Sequence, residues 1–321
     1  MKEEQLRNDG LWKAAGTSTH QNTAEVMELE RFAIHDGPGI RTVVFLQGCP
    51  LRCTWCANPE SQVTGRHLMY DQKRCVGCGC CAAVCPVSAI TFDGKRPQFH
   101  RADCTGCGEC GRKCLQNAIR YSGKTMTVDE IMAVIMRDRD YYGSSGGGVT
   151  FSGGDPFVQF PVFVEMLRRC REYGLHTAVE TCGQTSLEKI ERVIPLVDLF
   201  LFDFKHVEPD KFAEYTGGDI RQILGNLECL SRTARDKVIL RVPVIPGFND
   251  DLETLCRIFD RTCSYGIKTV HLLPYHTLGL SKYEQLGREY TLSCRSLMKK
   301  EELSQYQAIG EAKGLTVQIG G

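Results

Sequence analysis

Eleven of the 18 cysteines in this 321-residue chain fall into three fixed spacings, and these limit what the chain can fold around. The first is Cys49-x3-Cys53-x2-Cys56. Two four-cysteine runs follow, Cys75-x2-Cys78-x2-Cys81-x3-Cys85 and Cys104-x2-Cys107-x2-Cys110-x3-Cys114. Thiolates at two- and three-residue intervals are the ligand sets of iron–sulfur clusters. The first set is one thiolate short of four, so a [4Fe–4S] cluster held by it keeps one iron open to another ligand.

Composition excludes several alternatives. Lys plus Arg equals Asp plus Glu at 39 each, so no net field draws the chain to nucleic acid or an anionic membrane. No apolar run reaches the length of a membrane span, and the first sixteen residues lack the apolar core of a signal peptide. A cytosolic protein is expected, in a compartment where thiols stay free to bind metal. A disulfide scaffold would need a short exported chain. With 42% hydrophobic residues the chain can bury one large core beside a small metal-stapled module.

Residues 1–24 are polar and aperiodic and are read as a loose tail. Strand patterns follow at Val26–Phe32 and Thr42–Leu46 around a Gly37-Pro38-Gly39 turn, with Cys49 on the loop after the second. Residues 57–126 carry the two four-cysteine runs with short strand-like pieces at Ala89–Phe92 and Ala118–Tyr121. They are read as an insertion held by metal more than by apolar burial. Thr127-Val-Asp-Glu130 predicts a capping box opening a helix to about Tyr141. Further strands are expected at Gly148–Ser152, Thr177–Glu180, Leu199–Phe204, Val238–Val244 and Thr269–Leu273. Helices are expected around Phe163–Cys170, stopped by Gly174, and at Asp251–Tyr265, stopped by Gly266. Counting Thr42–Leu46, six strand–helix units point to an α/β fold, an open partial (β/α)6 barrel formed by residues 25–56 and 127–321. Its site is expected at the strand C-terminal ends.

The first cysteine set lies in His35-Asp36-Gly37-Pro38-Gly39-Ile40-Arg41 followed by Thr42 to Pro59. This stretch resembles the signature of the radical S-adenosylmethionine (SAM) enzymes that activate glycyl radical enzymes. The resemblance extends from about Val26 into the C-terminal region. The two four-cysteine runs have the spacing of bacterial two-cluster ferredoxins, in which each run gives three thiolates to one cluster and its fourth to the other. The resemblance implies three [4Fe–4S] clusters. Cys49, Cys53 and Cys56 would hold one whose open iron takes the amino and carboxylate groups of SAM. Reductive cleavage of SAM then gives methionine and a 5′-deoxyadenosyl radical, which removes a Cα hydrogen from a glycine of a partner glycyl radical enzyme. A donor such as flavodoxin or ferredoxin would supply the electron. The ferredoxin-like clusters are read as relaying electrons, holding the insertion together or docking a partner.

Further motifs end the predicted strands. In Phe151-Ser152-Gly153-Gly154-Asp155-Pro156, glycines permit close approach of a ligand and an acid suits an ammonium. The family usually has Glu where Asp155 stands, and Asp155→Glu is expected to leave SAM affinity nearly unchanged. By the same resemblance Thr181, Asp203 and Lys205 lie near the SAM carboxylate, and Glu180 with Asp203 helps hold a monovalent cation. Arg241 and the backbone around Pro243 approach SAM, His276 faces its adenosyl group, and Trp55 contacts the cofactor. Cys170, Cys182 and Cys256 are read as packing, and Cys80 is given no cluster role. Three other readings were weighed. A radical SAM enzyme for a small molecule is disfavoured by the Asp36–Arg41 lead-in, and an electron carrier leaves the first set unexplained. A zinc-stapled module lacks suitably placed histidines.

Overall fold

The computed structural model describes residues 22–294 and 296–321, and most of the expected tail lies outside them. Thr23 and Ala24 already belong to the first strand. The strands are β1 (Thr23–Ala33), β2 (Arg41–Leu46), β3 (His67–Tyr70), β4 (Ile90–Phe92), β5 (Pro97–Phe99), β6 (Ile119–Ser122) and β7 (Lys124–Thr127). They continue with β8 (Gly148–Gly153), β9 (Thr177–Thr181), β10 (Leu199–Asp203), β11 (Val238–Val244), β12 (Thr269–Pro274) and β13 (Thr316–Ile319). One nine-stranded sheet runs in the order β13-β12-β11-β10-β9-β8-β2-β1-β7. The strands from β2 and β8 through to β13 pair in parallel, and β1 joins β2 and β7 antiparallel.

Seven parallel strands replace the six expected. β13 follows the helix Ser304–Ala312 and pairs with β12 from Thr269↔Thr316 to Leu272↔Ile319. Helices connect the strands and bury apolar faces against them. In Phe160–Glu172, for example, Phe163, Met166, Leu167 and Cys170 are fully buried. Parallel order with intervening helices brings the C-terminal ends of β2 and β8–β12 to one rim.

The predicted capping box is present. Thr127 Oγ1 accepts from Glu130 N at 3.2 Å, and Glu130 accepts from Thr127 N at 2.8 Å, an N-cap of about 1 kcal/mol. The helix it opens ends at Met136, short of Tyr141, and a second begins at Arg139. Asp138 marks the break. Its buried carboxylate accepts from Arg31 Nε at 2.8 Å and Thr42 Oγ1 at 3.0 Å, so the strands, and not the helix, claim it.

Residues 67–122 make two small sheets, β3 with β6 and β4 with β5, around a minor cluster of Leu68, Ile90, Cys110 and Ile119, whereas residues 124–126, expected in the insertion, pair with β1 as part of β7. The barrel core is separate and much larger. The insertion is tied to the barrel by Arg101, which donates to Leu68 O and to Gln285 O, and by Arg120, which donates to Gln285 Oε1 at 2.9 Å. No helix among the described residues is long and apolar enough to cross a membrane.

Candidate active site

The loop after β2 is fixed from both sides. Arg52 N donates to Thr216 O at 2.7 Å and Thr54 N to Tyr215 O at 3.0 Å, while Gly48 N donates to Ser61 O at 2.6 Å. Leu51 is buried beneath it. Cys49, Cys53 and Cys56 therefore line one cavity of about 250 Å³ at the strand C-terminal rim. Its opposite walls come from the ends of β8, β9, β10, β11 and β12.

Gly153 and Gly154 line that cavity, but their missing side chains make room for protein. A Cβ on Gly153 (φ +123°) would stand 2.0 Å from Leu46 O, and one on Gly154 2.2 Å from Gly48 O. Glycine here lets the cysteine loop close on β8, which Gly154 N and Asp155 N then bond at 2.8 and 2.7 Å through Leu46 O and Gly48 O. Asp155, expected at an ammonium, is turned away from the cavity and is 1% exposed. Its Oδ1 accepts from Phe157 N, and its Oδ2 from Thr181 Oγ1, Cys182 N and Cys182 Sγ. A side chain this short reaches the next strand end and not the ligand space.

Thr181, Asp203, Lys205, Trp55 and His276 all line the cavity. Trp55 packs on Phe248 with ring centroids 4.7 Å apart. Lys205 is buried and paired with Asp203. Burial alone would lower its pKa, but Asp203 and the Cys53 sulfur outweigh that and hold it above the usual lysine value. His276 sits at the rim, where burial of part of its ring lowers its pKa. Arg241 lies one layer deeper, two residues before the cavity-lining Pro243 on the same face, and pairs with Glu180. Its Nε is buried with no partner among the described residues. Glu180 also accepts from Ser152 Oγ. Both carboxylates thus face protein cations where a bound monovalent cation was expected.

The donor set fits a cluster with SAM against it. Burial raises the Cys56 thiol to about 11 and pushes Cys53 up further, so as thiolates they need a positive centre beside them. A hydrogen bond from Cys182 holds the Cys49 thiol below the usual range against burial. Cys182 is the residue sequence reasoning missed, because only the fold brings β9 to the Cys49 loop. Ser152, whose signal was its place before the glycine pair, is the other.

The insertion gathers the remaining cysteines into two cavities. One of about 350 Å³ is lined by Cys104, Cys107, Cys110 and Cys85, and one of about 420 Å³ by Cys75, Cys78, Cys81 and Cys114. In each, three thiols of one run meet the fourth of the other. Cys80 also lines the second cavity, its Sγ 3.9 Å from Cys78 O. The first cavity is bounded in addition by Pro59 and Glu60, three and four residues beyond Cys56. Among the described residues, no three His, Cys, Asp or Glu side chains close on a single ion.

Comparison with known proteins shows the family of the chain. A model described as the radical SAM superfamily matches residues 43–259. The choline trimethylamine-lyase activating enzyme of Oleidesulfovibrio alaskensis is 37% identical over 295 residues, covering 90% of this chain and 95% of that protein. The 4-hydroxyphenylacetate decarboxylase activating enzyme of Clostridioides difficile is 38% identical over 311 residues, 95% and 98% of the two chains. The isethionate sulfite-lyase activating enzyme of O. alaskensis is 42% identical over 275 residues, 84% and 89%. Among solved structures, a radical SAM methyltransferase from Sphaerobacter thermophilus shares the fold with a TM-score of 0.51 at 14% identity, over 95% of this chain and 74% of that one.

Proposed function

The chain belongs to the radical SAM superfamily, and within it to the enzymes that activate glycyl radical enzymes; from that membership we propose how its residues divide the work. Cys49, Cys53 and Cys56 hold a [4Fe–4S] cluster, and Gly153, Gly154, Thr181, Asp203, Lys205, Trp55 and His276 form the SAM site facing it. When bound, cluster and SAM supply an electron and a cleavable sulfonium, giving methionine and a 5′-deoxyadenosyl radical that takes a Cα hydrogen from a partner glycine. Lys205 presents a fixed positive charge to the SAM carboxylate, and Asp203 keeps it protonated and oriented. Trp55 and His276 offer flat faces for the adenosyl group. Arg241 acts from below by holding Glu180 in the wall.

The single observation that carries this reading is the sharing of one cavity by the three cysteines and the wall residues from five strand ends. Two further [4Fe–4S] clusters belong to residues 57–126, one on Cys75, Cys78, Cys81 and Cys114, the other on Cys104, Cys107, Cys110 and Cys85. The two four-thiol cavities support this. The partner is a cytosolic glycyl radical enzyme, with a flavodoxin or ferredoxin as electron donor. The relatives serve lyases and a decarboxylase, so candidates of both kinds belong in the assay.

The test is anaerobic reconstitution followed by incubation with SAM, a reductant and candidate partners. About twelve irons per chain, formation of 5′-deoxyadenosine and a glycyl radical doublet by electron paramagnetic resonance (EPR) are expected. Cys53→Ala should retain about eight irons and lose SAM cleavage. Undiminished 5′-deoxyadenosine from that variant defeats the assignment, and about eight irons in the unaltered protein favours an electron carrier.

A further inference from the structure

Three segments meet at Asp155: the end of β8, the end of β9 and the loop that carries Cys49. Two carboxylate oxygens receive four donors, Phe157 N at 3.0 Å on Oδ1 and Thr181 Oγ1, Cys182 N and Cys182 Sγ at 2.8, 2.9 and 3.0 Å on Oδ2. Oδ2 is saturated by its three donors, and the side chain is 1% exposed and does not line the cavity, so the carboxylate is not offered to an ammonium there. The Asp155 backbone in turn donates to Gly48 O at 2.7 Å, one residue before Cys49. Cys182 lines the same cavity as Cys49, with the Asp155 carboxylate behind its thiol and the Cys49 sulfur in front. One thiol hydrogen thus lies between two acceptors, the carboxylate and the Cys49 sulfur.

We propose that Asp155 and Cys182 form a latch that positions Cys49 and the β9 end, so that Asp155 acts through Cys182 and Thr181 and does not contact the SAM ammonium. The latch rests on the reading of Cys49 as a cluster ligand. Hydrogen bonds to ligating sulfurs stabilise the more negative, reduced state of a cluster and raise its potential. The Cys182 thiol donates to Asp155 Oδ2 at 3.0 Å and lines the same cavity as Cys49, so turned to the Cys49 sulfur it would supply one such bond. The short side chain is fitted to its four donors, and Asp155→Glu would drive the carboxylate into them.

The test uses the fully reconstituted protein and follows the component of the reduced EPR spectrum that changes when SAM is added. Cys182→Ala should lower the midpoint potential of that component before SAM is present, and Cys182→Ser, which keeps a donor, should restore it. Asp155→Asn should shift the same SAM-free signal, because the amide NH2 would meet Phe157 N in place of Oδ1 or three donors in place of Oδ2. The double variant should shift it no further than the larger single change, as expected of one unit. Asp155→Glu should weaken SAM binding tenfold or more. The latch is overturned if the SAM-free signal stays at the unaltered position in both Cys182→Ala and Asp155→Asn while Asp155→Asn alone loses SAM affinity, the signature of an ammonium ligand. If Asp155→Asn fails to fold, the Cys182→Ala and Cys182→Ser pair decides alone. Absence of any SAM-responsive component in the unaltered protein defeats the functional reading, and the latch with it.

Discussion

The barrel and the insertion use the same residue type for opposite purposes. In the barrel, Cys49, Cys53 and Cys56 pack against a core that already includes Phe151, Phe163, Phe200, Phe202 and Leu240, all without exposure. The sheet and helices would bury that core whether or not iron arrived. The insertion's own apolar cluster has four buried residues, one of them the cysteine Cys110, beside buried Met69, Ala89 and Ala118, and the side chains packed on the cluster include Cys81, Cys85, Cys104 and Cys114. Such a cluster cannot offset the backbone entropy of some seventy residues, which costs about 1–2 kcal/mol for each residue ordered. On the proposed reading, metal binding in the insertion is folding, and in the barrel it furnishes a finished site.

The largest effect follows from removing the metal. After chelation under anaerobic conditions, amide hydrogen exchange in residues 66–122 should approach the unfolded limit, while β8–β12 keep their protection. Equal protection in both regions would break the contrast. A smaller effect comes from the apolar cores themselves. Phe163→Ala empties a fully buried site in the barrel and should cost about 3–5 kcal/mol in the metal-loaded protein. Leu68→Ala in the insertion should cost less, about 2 kcal/mol, if the proposed clusters and not the side chain hold the surrounding chain. Thermal denaturation of both variants with iron retained compares them directly, and a larger loss from Leu68→Ala would reverse the assignment of what holds each region.

The same contrast explains what could be read from the sequence. Spacing is local, so the cysteine runs, the capping box at Thr127 and most strands were visible. The crossed partition of the eight insertion cysteines was legible too, because its rule lies in the spacing. β13 was not: it is four residues long with one fully buried side chain, Val317, and needs β12 beside it to be a strand. The direction of Asp155 was also hidden. One methylene decides whether a carboxylate reaches the cavity or the neighbouring strand, and its partners Thr181 and Cys182 lie 26 and 27 residues away. The break at Asp138 has the same origin, since Arg31 and Thr42 come from β1 and β2, 107 and 96 residues away in the chain.

The smallest effect separates the regions by pH. In the insertion the shifted carboxylates Asp93 and Glu109 are exposed and lowered, Asp93 by the backbone N–H groups of Arg96 and Lys95 and Glu109 by Arg112. In the barrel, burial first and the charge of Glu180 second raise Asp36 to about 6, against the pull of Arg241. An acid whose pKa is higher folded than unfolded takes up protons on folding. Its contribution is most favourable below the unfolded value of 3.8 and declines as pH rises to about 6. Between pH 5.5 and 7 only the tail of that decline remains, about 0.5–1 kcal/mol after allowance for partial exposure. His176, His206, His271 and His276, lowered chiefly by burial, change stability in the opposite direction over this range. The loss is therefore read as the difference between the unaltered protein and Asp36→Asn in denaturant titrations of the metal-loaded protein at those two pH values, since an amide has no proton to release. Equal slopes in the two proteins would place the titrating group elsewhere, and the barrel interior would lose its distinction from the insertion surface.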